Sequence, residues 1–107
     1  MLHYIDSPLS AAEVSRMPGL LALEFGNGWC GFCQTSAPAI AAALQHRPDI
    51  RHIQIADGKG KRLGRHFGVK LWPTLIFLDD GLEVARVVRP DQSETVSQAI
   101  SRLRTAD

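Results

Sequence analysis

Cys30 and Cys33 are the only cysteines of this chain, and two residues separate them. Thiols at that spacing can share one helical turn and close a disulfide, or they can supply half of a tetrahedral metal site. Their surroundings favour the first. Residues 20–25 are an apolar run that reads as a strand, Gly26, Asn27 and Gly28 make a turn, and residues 34–46 read as a helix rich in Ala with Ile40 and Leu44. The pair therefore lies where a strand hands over to a helix. The first turn of a helix has unpaired N–H groups and the positive end of the dipole, and both stabilise an anion. A thiol placed there ionises readily, and the thiolate is the nucleophile. This predicts Cys30 as the outer, attacking thiol and Cys33, one turn further in, as the resolving thiol. A zinc site needs two further ligands, and His46, His52 and His66 are scattered without a paired partner, so no metal is expected.

Two other residues stand out against the elements that carry them. Glu24 interrupts the apolar run 20–25, where a carboxylate is buried and desolvation disfavours its charge. Pro73 precedes the apolar run 75–78, and a proline that opens a strand cannot donate to the ladder, which leaves a cis Trp72-Pro73 peptide or an ordinary trans strand start as explanations. The rest of the chain supplies the frame. Residues 2–6 form a short edge strand, and Ser7-Pro8-Leu9 turns. Ser10 and Glu13 make a capping box that starts a short helix, ended by Met17-Pro18-Gly19. The helix after the cysteines contains Pro38 and ends near His46. Residues 50–55 form a strand and 61–67 a short helix. Residues 75–78 and 82–88 form a hairpin about Asp79-Asp80-Gly81. Asp91 to Glu94 resembles a second capping box, ahead of a helical stripe of Val96, Ile100 and Leu103. The element order is β-α-β-α-β-α-β-β-α, which implies a mixed sheet with helices on both faces.

Phe25, then Trp29-Cys30-Gly31-x-Cys33, then Ala37-Pro38 resembles the active-site strand and helix of the thioredoxin family. Phe67-Gly68-Val69-Lys70-Leu71-Trp72-Pro73-Thr74 resembles that family's cis-proline loop, and the likeness covers nearly the whole chain. It implies an α/β thioredoxin fold in one domain, residues 1–107, with a central mixed sheet of about five strands flanked by about four helices. It implies a thiol–disulfide oxidoreductase that reduces or exchanges protein or small disulfides through a Cys30/Cys33 cycle. Electrons would come from a flavoprotein reductase or a small thiol, with no organic cofactor and no metal. Glu24 falls at the family's buried acid, which helps to move the Cys33 proton through water, and its extra methylene brings Cys33 within direct reach. Trp29, Gly31, Phe32, Trp72, Pro73 and Thr74 fall along the groove that holds an extended substrate.

Several positions depart from the family. Phe32 stands where Pro or His is usual, Trp72 where Ile or Val is usual, and Arg89 where a Gly lets the partner approach. An Arg there either adds positive charge beside Cys30 or obstructs docking. No Lys lies near Ile53 to pair with the acid, only His52 and Gln54. These departures leave two rivals open, a disulfide oxidase or isomerase of a secretory compartment and a non-catalytic adaptor that uses the same groove.

Composition sets outer bounds. At 107 residues the chain can bury a single core, and its formal charge of +1 gives no polyanion-binding signature, so no nucleic acid partner is expected. No apolar run reaches the length of a membrane span, and no basic-then-apolar leader opens the sequence. The expectation is a cytoplasmic monomer, unless a leader has been trimmed from a periplasmic or secreted form. Lys59, Lys61, Arg62 and Arg65 read as a solvated face.

Overall fold

The computed structural model describes residues 2–6 and 9–105. The elements are α1 (Ala11–Ser15), β1 (Leu20–Gly26), α2 (Gly31–Leu44), β2 (Arg51–Ala56), α3 (Arg62–His66), β3 (Thr74–Asp79), β4 (Leu82–Val88) and α4 (Ser93–Ile100). They build the thioredoxin fold. The strands lie in the order β2-β1-β3-β4, with β1 parallel to β2, antiparallel to β3, and β3 antiparallel to β4. β1 is interior and buried along its whole length, as a near-continuous apolar run requires.

Alternation along β1 sorts the core into two layers. Leu20 and Ala22 face one side with Ile40 and Ala43 of α2 and Val96, Ala99 and Ile100 of α4. Leu21, Leu23 and Phe25 face the other with Val14 of α1 and Leu63 of α3. Glu24 shares the parity of Leu20 and Ala22, so it points toward the α2 layer. On β2, His52 and Gln54 lie opposite Ala22 and Glu24 and share that face.

Three expectations need correction. Among the described residues the sheet has four strands, where about five were expected. Within 2–6 only Ile5 pairs, through a single parallel bridge to Ile55, with Ile5 N–H on the Gln54 carbonyl at 3.0 Å and Ala56 N–H on the Ile5 carbonyl at 2.8 Å. The expected second capping box does not form. The N-cap of α4 is Gln92, with no side-chain cap bond, and this places Thr95 rather than Glu94 at the third helical position, so the pattern is out of register. The Ser10–Glu13 capping box is present in full. Of the turn expected at Ser7-Pro8-Leu9, Ser7 and Pro8 lie outside the described residues. The active-site helix starts at Gly31, earlier than the Ala-rich run indicates, and ends at Leu44, short of His46.

The hairpin tip rests on the end of α1. Gly81 has φ +86°, and a Cβ there would stand 2.1 Å from the Ser15 carbonyl oxygen. Gly81→Ala is therefore expected to cost about 2 kcal/mol or more of stability, combining left-handed strain with a backbone clash. Urea denaturation measures this, and an unchanged midpoint would show that the tip does not pack against α1.

Candidate active site

Cys30 is the N-cap of α2, and its Sγ accepts from the backbone N–H of Cys33 at 3.4 Å. The turn Asn27-Gly28, which follows Gly26 at the end of β1, delivers it there, with Cys30 N–H on the Asn27 carbonyl at 3.2 Å. Burial by itself pushes the Cys30 thiol up. That effect is outweighed by hydrogen bonds from the Cys33 backbone, the Cys33 thiol and the Phe32 backbone, together with the charge of Arg89, so the net direction is down. Cys33 lies beneath and is fully buried. Burial pushes its thiol up to about 11, and the adjoining Cys30 thiol adds to the effect, whereas the Asn27 N–H, 3.5 Å away, and the Tyr4 hydroxyl oppose it. The two thiols are thus polarised in opposite senses, one toward attack and one toward holding its proton.

Arg89 places positive charge near Cys30, as its position suggested, and also braces the cis-proline loop, which the sequence did not indicate. Its guanidinium lies 3.7 Å over the Phe32 ring centroid and contributes to the Cys30 shift. Its Nε–H donates to the Trp72 carbonyl at 2.7 Å, and its backbone N–H donates to the Pro73 carbonyl at 2.9 Å. Arg89 has φ +50°, a conformation usually left to glycine. The Trp72-Pro73 peptide is cis. Thr74 is buried under this loop, where its hydroxyl donates to the Leu71 carbonyl at 2.6 Å.

The mouth of the site is aromatic. Trp29 is 73% exposed, and its ring meets Trp72 edge-on with centroids 5.5 Å apart. Trp72 is oriented from behind, its indole N–H donating to Asp57 at 2.9 Å. Asp57 is buried against Gly64, where an added Cβ would stand 2.2 Å from the carboxylate. Trp29, Phe32, Leu71 and Val88 are four of the six exposed large apolar side chains among the described residues, and all four adjoin the two catalytic segments. Exposed Gly31 opens the helix beside them.

Glu24 is 1% exposed, as its place in the run requires, and it is held by three side chains. His52 Nε2 lies 2.8 Å from Oε1, Gln54 Nε2 donates to the carboxylate at 3.3 and 3.4 Å, and the Tyr4 hydroxyl donates to Oε2. The expected direct reach from Glu24 to Cys33 is replaced by Tyr4, which contacts both groups. Tyr4 is the residue that sequence reasoning missed, since the short segment 2–6 carries no pattern that aims it inward. The available signal was Gly26. A Cβ at Gly26 would stand 2.6 Å from Cys33 Sγ and 2.8 Å from the Tyr4 hydroxyl oxygen. His52 and Gln54 were legible as the residues where a Lys is usual, and the structure brings both to the carboxylate. The tie of Asp57 to Trp72 is a tertiary contact across 15 residues of chain. Among the described residues no three His, Cys, Asp or Glu side chains gather to hold a metal ion. Lys61 on the basic segment pairs with Asp6 at 2.6 Å.

An activated thiol, a buried partner thiol and a cis-proline loop at one end of this sheet make the chain a thiol–disulfide oxidoreductase by class. Comparison with known proteins specifies the lineage. The thioredoxin family model matches residues 10–102. Thioredoxin 2 from Pseudomonas aeruginosa PAO1, solved in its reduced form, superposes with a TM-score of 0.84 at 43% identity, covering 94% of this chain and 93% of that one. A thioredoxin of Chlamydia muridarum is 31% identical over 84 residues, covering 78% of this chain and 82% of its own. Thioredoxin H-type 1 of Nicotiana tabacum is 31% identical over 75 residues, covering 70% of this chain and 60% of the tobacco protein. The chain belongs to the thioredoxin family.

The electrostatics of Cys30 give a pH prediction. Only the thiolate alkylates, so the rate of Cys30 alkylation by iodoacetamide rises with pH through the thiol's titration. Because the Cys30 thiol is shifted down, the midpoint should lie below that of a free cysteine. In Arg89→Gln a favourable positive charge is lost, the thiolate is less stable, and the midpoint should move to higher pH. A midpoint that stays in place would show that Arg89 serves only to brace Trp72.

Proposed function

We propose that this protein reduces or exchanges disulfides in extended protein segments through a Cys30/Cys33 cycle. Cys30 thiolate attacks a substrate disulfide and forms a mixed disulfide. Cys33 then attacks Cys30 Sγ, closes the Cys30–Cys33 disulfide and expels the second substrate thiol. Glu24 is the terminal acceptor of the Cys33 proton. The observation that carries the reading is the opposite polarisation of the two thiols, Cys30 at the helix N-cap and Cys33 buried behind it.

In this reading Trp29, Gly31, Phe32, Trp72 and Pro73 form the substrate groove, and Thr74 holds the loop from beneath. An incoming strand would pair along the Trp72-Pro73 backbone in the manner of β-augmentation. Arg89 occupies one lone pair of the Trp72 carbonyl, which leaves a second for the substrate. The reading includes a monomer working in a reducing compartment, recharged by a flavoprotein reductase or a small thiol. Among the described residues no helix is long and apolar enough to cross a membrane.

Insulin reduction with dithiothreitol as the electron source tests the cycle. Cys30→Ser is expected to abolish turnover. Cys33→Ser should still attack and should accumulate a substrate mixed disulfide on Cys30, visible by mass spectrometry. Turnover that survives in Cys30→Ser would sink the assignment of the nucleophile. A wild-type protein that binds disulfide peptides without reducing them would support the adaptor instead. The potential of the pair then sets direction, since values near about −270 mV characterise reductants and values near about −120 mV characterise oxidants.

A further inference from the structure

The family's acid–thiol pair is separated in this chain by a side chain from the N-terminal segment. Tyr4 donates its hydroxyl hydrogen to Glu24 Oε2, and the same oxygen faces Cys33. An ideal Cβ on Gly26 would lie 2.6 Å from Cys33 Sγ and 2.8 Å from Tyr4 Oη, so both atoms converge on the space that Gly26 leaves open. Glu24 is 1% exposed, and His52 holds its Oε1 at 2.8 Å with a side chain that is 30% exposed. The carboxylate is thereby joined to the buried thiol on one side and to the surface on the other. A cavity of about 110 Å³ beside it is lined by Ala37, Ile40 and Ala41 of α2 and by His52 and Gln54 of β2. The polar groups facing the carboxylate are Tyr4, His52 and Gln54, and the titratable group facing Tyr4 from α2 is Cys33.

We propose that Tyr4 is a catalytic residue of this chain, the proton carrier between Cys33 and Glu24 in the resolving step. This rests on the dithiol cycle proposed above. As Cys33 Sγ attacks Cys30 Sγ, its proton passes to Tyr4 Oη while the Tyr4 hydroxyl proton passes to Glu24 Oε2. The S–S bond between Cys30 and Cys33 forms as the bond from Cys30 to the substrate sulfur breaks. The substrate sulfur departs with the electron pair as a thiolate. Tyr4 ends the step neutral, as it began, with one proton gained and one given. Burial, Glu24 and Cys33 all push the Tyr4 hydroxyl up, so it transmits a proton without standing as a phenolate. Gly26 is the positioning residue that keeps the path clear.

Ellman's disulfide separates the two halves of the cycle, because Cys30 attack releases one thionitrobenzoate and Cys33 resolution releases the second. Stopped-flow absorbance of Tyr4→Phe should show an unchanged first release. The second should slow at least about tenfold at pH 7, in line with loss of general acid–base assistance. The second release should recover toward the wild-type rate as pH rises and hydroxide takes the proton directly. Glu24→Gln should behave alike, and the double variant should be no slower than the slower single one, since the two act in series. In wild type, the second rate should depend quadratically on the deuterium fraction of the solvent, with two protons in motion. A second release in Tyr4→Phe within about twofold of wild type would overturn the relay, as would losses that multiply in the double variant. A linear deuterium dependence in wild type would do the same without recourse to any variant. Wild type that releases only one thionitrobenzoate would bring down the dithiol cycle itself, and the relay with it.

Discussion

A carboxylate lies in the interior of this sheet, and much of the active-site architecture answers it. Taking a carboxylate out of water costs several kcal/mol unless hydrogen bonds replace its hydration. Glu24 receives three such partners, from Tyr4, His52 and Gln54, and no buried side-chain polar atom among the described residues is left unpaired. Each partner constrains something else. His52 and Gln54 must share the inner face of β2, which requires the parallel register that pairs Gln54 with Glu24. Tyr4 must enter beneath β1, which requires the bridge at Ile5 and the empty space at Gly26.

The same arrangement separates the roles of two chemically identical thiols. Cys30 has the helix N-terminus, neighbouring backbone donors and Arg89 on its side. Cys33 has burial against it. A difference in environment across one helical turn therefore sets the two thiols apart, the outer one shifted toward the thiolate and the inner one toward holding its proton. The second constraint lies across the groove, where Arg89 links three parts at once. It touches Phe32 between the cysteines, holds the carbonyl ahead of Pro73, and places positive charge near Cys30. The residue that departs from the family pattern at this position replaces flexibility with a brace.

What was legible in the sequence follows from the range of each interaction. The strand at β1, the turn, the helix and the position of the dithiol between them are local and strongly patterned, and Ser10 with Glu13 reads as a cap because all its partners lie within four residues. Pro73 was legible because an imino residue at a strand start has few explanations. The edge segment 2–6 was read as a strand from its apolar content, yet only Ile5 pairs, since nothing local distinguishes one bridge from a ladder. Asp91 and Glu94 showed the cap spacing, but the helix began one residue later. Tyr4, Asp57 and the pairing of His52 with Glu24 are contacts across 20, 15 and 28 residues of chain, and side-chain identity alone does not announce such contacts. Gly26 was the one local trace of them, read as part of a turn when it was also a reserved space.

The two tryptophans of this protein are the only ones it has, and they touch each other at the rim of the dithiol. Its tryptophan emission therefore originates at a single place. One indole is largely in water, and the other is fixed by a buried carboxylate, so the pair forms a built-in optical probe with a solvent-facing half and an anchored half. Opening or closing of the nearby sulfur bridge, or arrival of a guest on the rim, changes the quenching around both rings. The chemistry of this site can thus be followed in the unlabelled protein, with no other tryptophan signal to subtract.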